Sequence, residues 1–229
     1  MSTVGERLAA LRERIAALER RHGRAPGSVR LVAVSKTKPA AAVREAFEAG
    51  QRDFGENHLQ DALSKIEPLA GLGLTWHFIG PLQSNKTRAV AERFDWVHSI
   101  DRLKIARRLS AQRPPGRPPL QVCVQVNISA EPTKSGVAPG ELEALARAVA
   151  ELPGLRLRGL MAIPAPSEDP AEQRAAFRRL RELQEGLLAR GLALDTLSMG
   201  MSADLEAAIA EGATIVRVGT AIFGERPRP

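Results

Sequence analysis

Residues 31–39 read LVAVSKTKP. Leu31 to Val34 form a short apolar run of the kind that makes a fully buried strand, and Pro39 marks where the strand must be over. Between them stands Lys36, a residue rarely buried without a partner. Side chains alternate along a strand, so Val32, Val34 and Lys36 share one face. Two readings are open for this lysine. It snorkels to water from a strand end, or its ammonium is partly desolvated over a cleft, where the neutral amine is a better nucleophile toward an aldehyde. Lys38 lies off the strand and reads as a solvated loop charge.

The same short apolar pattern recurs along the chain, at about 30–36, 53–57, 75–80, 95–100, 120–129, 155–163, 196–199 and 214–219. Helical periodicity fills the intervals. One helix is predicted over about 139–151, ahead of "PG" at 153–154. Another is predicted over about 170–189, opened by Asp169, Pro170 and Glu172 and closed by Gly191. Eight strands alternating with helices in 229 residues point to a (β/α)8 barrel. An open doubly wound sheet would often carry a glycine-rich fingerprint after its first strand, and none is present. The leading segment, about 3–22, is an amphipathic helix with Val4, Leu8, Leu11, Ile15 and Leu18 at helical spacing. Thr3 with Glu6 makes a capping box, and Gly23 a stop. The chain therefore reads as one domain over 1–229: an extra N-terminal helix, a barrel over about 29–224, and a short tail. "RPPGRPP" at 113–119 reads as a stiff connector on the barrel's bottom face, not a domain boundary.

Composition removes several function classes. A single cysteine, Cys123, excludes an intrachain disulfide and suits a reducing, cytoplasmic setting. No apolar run reaches the roughly 18 residues of a membrane span. The net charge is +7 and the pI about 10.4. Six of the 33 basic residues are lysine, so 27 are arginine. These arginines are scattered among Glu and Ala on helix faces. Aromatics are 3% and tyrosine is absent, so no stacking platform for bases exists and no nucleic-acid partner is expected. No Cys/His spacing matches a zinc site, and His77 reads as a hydrogen-bonded core residue.

In such barrels chemistry gathers at the C-terminal strand ends. Those ends bring Lys36, Glu56, Asn57, Gly80, Ser99, Asp101, Asn127, Met161, Ser198 with Met199, and Arg217 with Gly219 and Thr220. "LSMGMSADLE" runs from strand seven into a helix, with Gly200 for close approach and Ser202 as a hydroxyl donor. "VRVGTAIFG" supplies Gly219 and Thr220 after strand eight. The loops after strands seven and eight are the usual phosphate site of this fold. The competing reading is that Ser202 merely caps the helix, with Asp204 and Glu206 favouring its dipole and repelling phosphate. Arg217 shares a face with Gly219 and needs an acceptor, either a carboxylate of the protein or a ligand ring nitrogen or phosphate.

Seven segments, "AVSKTKP", "FGEN", "WHFIGPLQSNK", "VHSID", "GLMAIP", "LSMGMS" and "VRVGTAIFG", run in order from about residue 33 to 224. Together they closely resemble the pyridoxal phosphate homeostasis proteins. The resemblance implies an alanine-racemase-like barrel that binds pyridoxal 5′-phosphate without established turnover. It implies that Lys36 forms the Schiff base, that Asn57 lies near the cofactor, and that Arg217 faces the pyridine nitrogen. Ser202, Gly219 and Thr220 then hold the phosphate, while Met199, Gly200 and Met201 line that turn. One departure is visible: the family usually has a tyrosine after "FGEN", where this chain has His58, with Asp61 following. The implied role is a monomeric carrier in vitamin B6 homeostasis that hands its cofactor to apoenzymes. An amino-acid racemase of this fold would use a tyrosine base and a second β-domain. A Schiff-base aldolase would share the lysine and the phosphate turn.

Overall fold

The computed structural model describes residues 2–129 and 135–224. The short C-terminal tail lies outside the described residues. Eight parallel strands close into a barrel in sequence order. They are β1 Arg30–Val34, β2 Asp53–Glu56, β3 Thr75–Phe78, β4 Trp96–Ile100, β5 Leu120–Gln125, β6 Leu155–Met161, β7 Thr196–Ser198 and β8 Ile215–Val218. Closure is made by β1 on β8, with Val32 beside Arg217 and Ala33 beside Val218.

The helices are α1 Val4–Arg21, α2 Ala40–Glu48, α3 Leu59–Ile66, α4 Thr87–Arg93, α5 Leu103–Gln112, α6 Leu142–Ala150, α7 Pro170–Ala189, α8 Leu205–Ala210 and α9 Thr220–Phe223. The expected N-terminal helix is α1, with both halves of the Thr3/Glu6 capping box in place and its five apolar positions buried. It packs over α2, α8 and α9. The connector at 113–119 sits on the N-terminal side of β5. There the Arg113 guanidinium fastens it by donating to the carbonyls of Phe94 at 2.8 Å and Pro118 at 2.8 Å. Among the described residues no helix is long and apolar enough to cross a membrane.

Seven of the eight strands stop earlier than the sequence pattern predicts, and β1, β3, β5 and β6 do so by two residues or more. β1 ends at Val34, because after Ser35 N–H bonds the Gly55 carbonyl the chain curls and Lys38 N–H bonds Ser35 at 3.0 Å. β5 ends at Gln125 and β6 at Met161, which are the last pair of their ladder, although apolar residues continue beyond both. Lys36 therefore stands in a turn two residues beyond the strand, not on its last position.

Strand parity sorts side chains into two cores. One face of each strand packs on the helices, joining residues such as Leu31, Ala33, Phe54, Phe78 and Leu160. The other fills the barrel. Val32, Trp96, Cys123, Met161 and Ile215 form its apolar part, and His77, His98, Ser198 and Arg217 share the interior as buried polar groups. Burial pushes the Cys123 thiol up to about 12, so it stays protonated and unreactive at neutral pH.

Candidate functional site

At the C-terminal mouth, between the ends of β1 and β8, a cavity of about 320 Å³ is lined by Lys36, Asn57, Met201, Ser202, Arg217, Gly219 and Thr220. Seven of the nine sequence-derived positions thus converge on one space. Val34, Ile79 and Ile163 supply its apolar walls. Lys38 lines it too, against the reading of a solvated loop charge, because the turn after β1 folds the chain back over the mouth.

That turn is held by a buried cluster. Thr37 has φ +64, the one positive φ outside glycine among the described residues, a conformation that costs a threonine of order 1–3 kcal/mol. Asp61 on α3 accepts from Thr37 N–H at 2.8 Å. Lys65, one turn further along α3, donates to the Ser35 carbonyl at 2.7 Å, to Glu56 at 2.7 Å and to Asp61 at 3.0 Å. All three of its protons are engaged, so Lys65 is a brace and has no proton left for a ligand. Glu56 is fully buried and also accepts from the Ser35 hydroxyl at 2.5 Å. Burial pushes its carboxyl up, and the hydrogen bonds from Lys65 and Ser35 oppose that. The function of Asp61 in this brace was not visible in the sequence, although its i,i+4 spacing to Lys65 is a recognisable helical ion pair. His58, where the family's tyrosine usually stands, is exposed at the start of α3.

Ser202 does not cap α8. Asp204 occupies the cap position, and its carboxylate instead accepts from Met201 N–H at 2.6 Å. Glu206 turns outward to pair with Arg21 at 2.9 Å. Asp204 thus holds the turn and Glu206 lies on the outer surface, while Ser202 lines the cavity. Met199 and Gly200 shape the turn without lining the cavity. Met199 is fully buried in the helix-side core. Gly200 has φ +97, and a Cβ there would stand 2.5 Å from that of Ala208, so only glycine lets α8 pack this close. Gly219 plays the matching part after β8, where a Cβ would meet the Val34 carbonyl at 3.0 Å.

Arg217 is buried, and burial pushes it down to about 10, which leaves it cationic at neutral pH. Its Nη1 donates to Ser198 Oγ at 2.6 Å and its Nη2 to the Ala162 carbonyl at 3.0 Å. Both acceptors are neutral. The Asp204 carboxylate, not hydrogen-bonded to it, is the opposing charge that favours this buried cation, which borders the cavity. Across the same space, the Asn57 side-chain oxygen is buried with no hydrogen-bond partner. The mouth therefore presents an amine, a guanidinium, an unengaged amide oxygen and two hydroxyl-bearing turns.

The alanine racemase N-terminal domain family matches residues 7–227 of the chain. The chain is 66% identical, over 226 residues, to a pyridoxal phosphate homeostasis protein of Pseudomonas aeruginosa, covering 99% of this chain and 97% of that one. It is 56% identical, over 229 residues, to the protein of the same name from Escherichia coli K12, covering 99% and 98%. Among solved structures, PipY of Synechococcus elongatus PCC7942, with PLP bound, is similar with a TM-score of 0.85 at 43% identity, covering 97% of this chain and 100% of PipY. With identity of this level along nearly its whole length, the chain belongs to the pyridoxal phosphate homeostasis protein family, on the barrel of the alanine racemase N-terminal domain.

Proposed function

We propose that this protein binds pyridoxal 5′-phosphate at the β1/β8 mouth, holds it as an imine on Lys36, and serves vitamin B6 homeostasis by handing the cofactor to apoenzymes. The observation that carries this reading is the convergence of Lys36, Asn57 and Arg217 with the Ser202 and Thr220 turns on one cavity. The residues present suit the group. An anionic ligand offsets the buried Arg217 cation, and a phenolic hydroxyl would satisfy the orphan Asn57 oxygen. When bound, the group would supply an aldehyde with which the Lys36 amine, in its unprotonated form, would condense with release of one water. Ser202 and Thr220 would donate to the phosphate. Arg217 would donate to the pyridine nitrogen. Guanidinium has donors only, so that nitrogen stays unprotonated and the ring is a poor electron sink, which suits holding a cofactor more than carbanion chemistry.

Two measurements bear on this directly. Ser202→Ala and Thr220→Val are each expected to weaken pyridoxal phosphate binding by about 1–3 kcal/mol, with little effect on pyridoxal, which lacks the phosphate. Equal losses for both ligands would mean that these hydroxyls do not read phosphate. Racemase and transaminase assays of the wild-type protein are expected to show negligible turnover, since no tyrosine exists to act as a second base. Turnover of about 1 per second or faster, as is usual for enzymes, would favour the racemase reading.

A further inference from the structure

Arg217 is one end of a hydrogen-bond chain that crosses the barrel interior. Its Nη1 donates to Ser198 Oγ at 2.6 Å. Ser198 Oγ lies 2.7 Å from His98 Nδ1. His98 Nε2 lies 2.9 Å from His77 Nδ1, and His77 Nε2 lies 2.9 Å from an Asp53 carboxylate oxygen. Asp53 is the first residue of β2, so it sits at the opposite mouth of the barrel, partly open to solvent. Ser198, His77 and His98 are fully buried.

The two ends leave one arrangement of protons. A guanidinium only donates and a carboxylate only accepts. With both imidazoles neutral, Asp53 requires the proton on His77 Nε2, which makes His77 Nδ1 an acceptor. His98 must then carry its proton on Nε2, which makes its Nδ1 an acceptor for the Ser198 hydroxyl. The Ser198 oxygen is left to accept from Arg217. Every donor points from Arg217 toward Asp53, and each bond polarises the next. The reverse direction would set His77 Nε2 and the Asp53 carboxylate lone pair to lone pair. Burial holds both imidazoles neutral. It outweighs Asp53 at His77, which also faces Arg30 and Asp95, and at His98 it is reinforced by His77, Arg217 and Arg30. His77 also stacks on Trp96. Arg217 itself faces Asp204 and Cys123.

We propose that Asp53, His77, His98 and Ser198 are positioning residues for the pyridine end of the cofactor, a one-way chain that pins one edge of Arg217 and keeps its remaining N–H groups aimed at the mouth. This rests on the pyridoxal phosphate reading above. It extends the site to a carboxylate on the far side of the barrel, which touches no ligand.

The test has a cofactor-independent arm and a spectroscopic arm. In the apoprotein, 15N correlation spectra of the histidine rings are expected to show both His77 and His98 as neutral Nε2–H tautomers, unchanged across neutral pH. A protonated ring or an Nδ1–H tautomer at either position would overturn the one-way chain. In the loaded protein, the imine absorbance is titrated against pH. Asp53→Ala removes the terminal acceptor and frees the tautomers. Arg217 then releases the pyridine nitrogen to protonate, and the added positive charge lowers the proton affinity of the imine by at least about threefold, half a pH unit. Asp53→Asn, which restores an acceptor oxygen, is expected to recover most of that shift. His98→Gln, which leaves no acceptor fixed beside Ser198, should shift it in the same direction. A purely structural role would lower the unfolding midpoint of these variants and leave the imine titration on the wild-type curve, and that result would overturn the proposal. An imine band that never forms in wild type would instead overturn the cofactor reading, and the inference with it, whatever the tautomers.

Discussion

Lys36→Ala is expected to leave the barrel folded while abolishing the yellow imine band that pyridoxal phosphate gives with the wild-type protein. Lys36 is half-buried in a turn and not in a strand, so truncation removes little packed apolar surface, and surface changes of that kind usually stay within about 0.5 kcal/mol. The band, by contrast, requires an amine at the cavity. The other described lysines are poorly placed for the role. Lys65 has all its protons engaged in the brace. Lys86 lines a separate cavity beside Pro81 and Gln83. Lys104 is on α5, on the outside of the barrel. Lys38 is the one competitor within the cavity, and Lys38→Ala is the control that should retain the band. Absorbance and a thermal melt on each variant decide the matter. A band that persists in Lys36→Ala and disappears in Lys38→Ala would transfer the assignment.

The largest effect on stability is expected from Lys65→Met, which keeps the alkyl stem and removes the ammonium. Glu56 is 0% exposed and Lys65 1% exposed, and breaking a buried ion pair from one side typically costs about 3–5 kcal/mol, because the abandoned charge stays buried. The dependence on pH has a definite sign. Burial pushes the Glu56 carboxyl up, so its contribution is fully present in acid and is lost as pH rises through the folded value. Without Lys65 that value moves higher still. Asp61 runs the other way: burial pushes it up, but Thr37 N–H and Lys65 outweigh burial and hold it below the usual range. Its contribution is present above the unfolded value and lost as pH falls, and the variant lacks the part that Lys65 supplies. Both trends make the deficit of Lys65→Met largest at neutral pH and smaller below about pH 4, where free carboxyls protonate. Urea denaturation at two pH values measures it. A deficit that is the same in acid, or below about 1 kcal/mol at neutral pH, would mean that the brace is not what holds the Lys36 turn.

The barrel was legible because eight short apolar runs alternate with stretches of helical periodicity. Parity put Val32, Val34 and Lys36 on one face and Arg217 with Gly219 on another, and closure of the barrel turns Val32 and Arg217 inward. The limits of α7 followed from Asp169 as cap, Pro170 at the first turn and Gly191 beyond the end, and the helix is found at Pro170–Ala189. The mouth was legible to the extent that its residues follow strand ends directly. What escaped is contact between residues far apart in sequence. Asp53, His77, His98 and Ser198 come from four strands and meet only when the barrel closes, so no local spacing announces them. Ser202 stood open between hydroxyl donor and helix cap, since serine competes well as a cap, and Asp204, two residues nearer the helix, takes the cap position. Met199 was assigned to the site although the same parity that turns Ser198 inward turns Met199 toward the helices.

Covalent attachment through one lysine, at the mouth between β1 and β8, underlies the proposed hold on the cofactor. It is tested most directly by loading the wild-type protein with pyridoxal phosphate, reducing with borohydride, and mapping the modified peptide by mass spectrometry. The expected result is a single dominant pyridoxyl-phosphate adduct on Lys36, with loss of the yellow band on reduction. An adduct mainly on Lys38 or Lys86, or no stable adduct from a protein that still binds the cofactor, would contradict it.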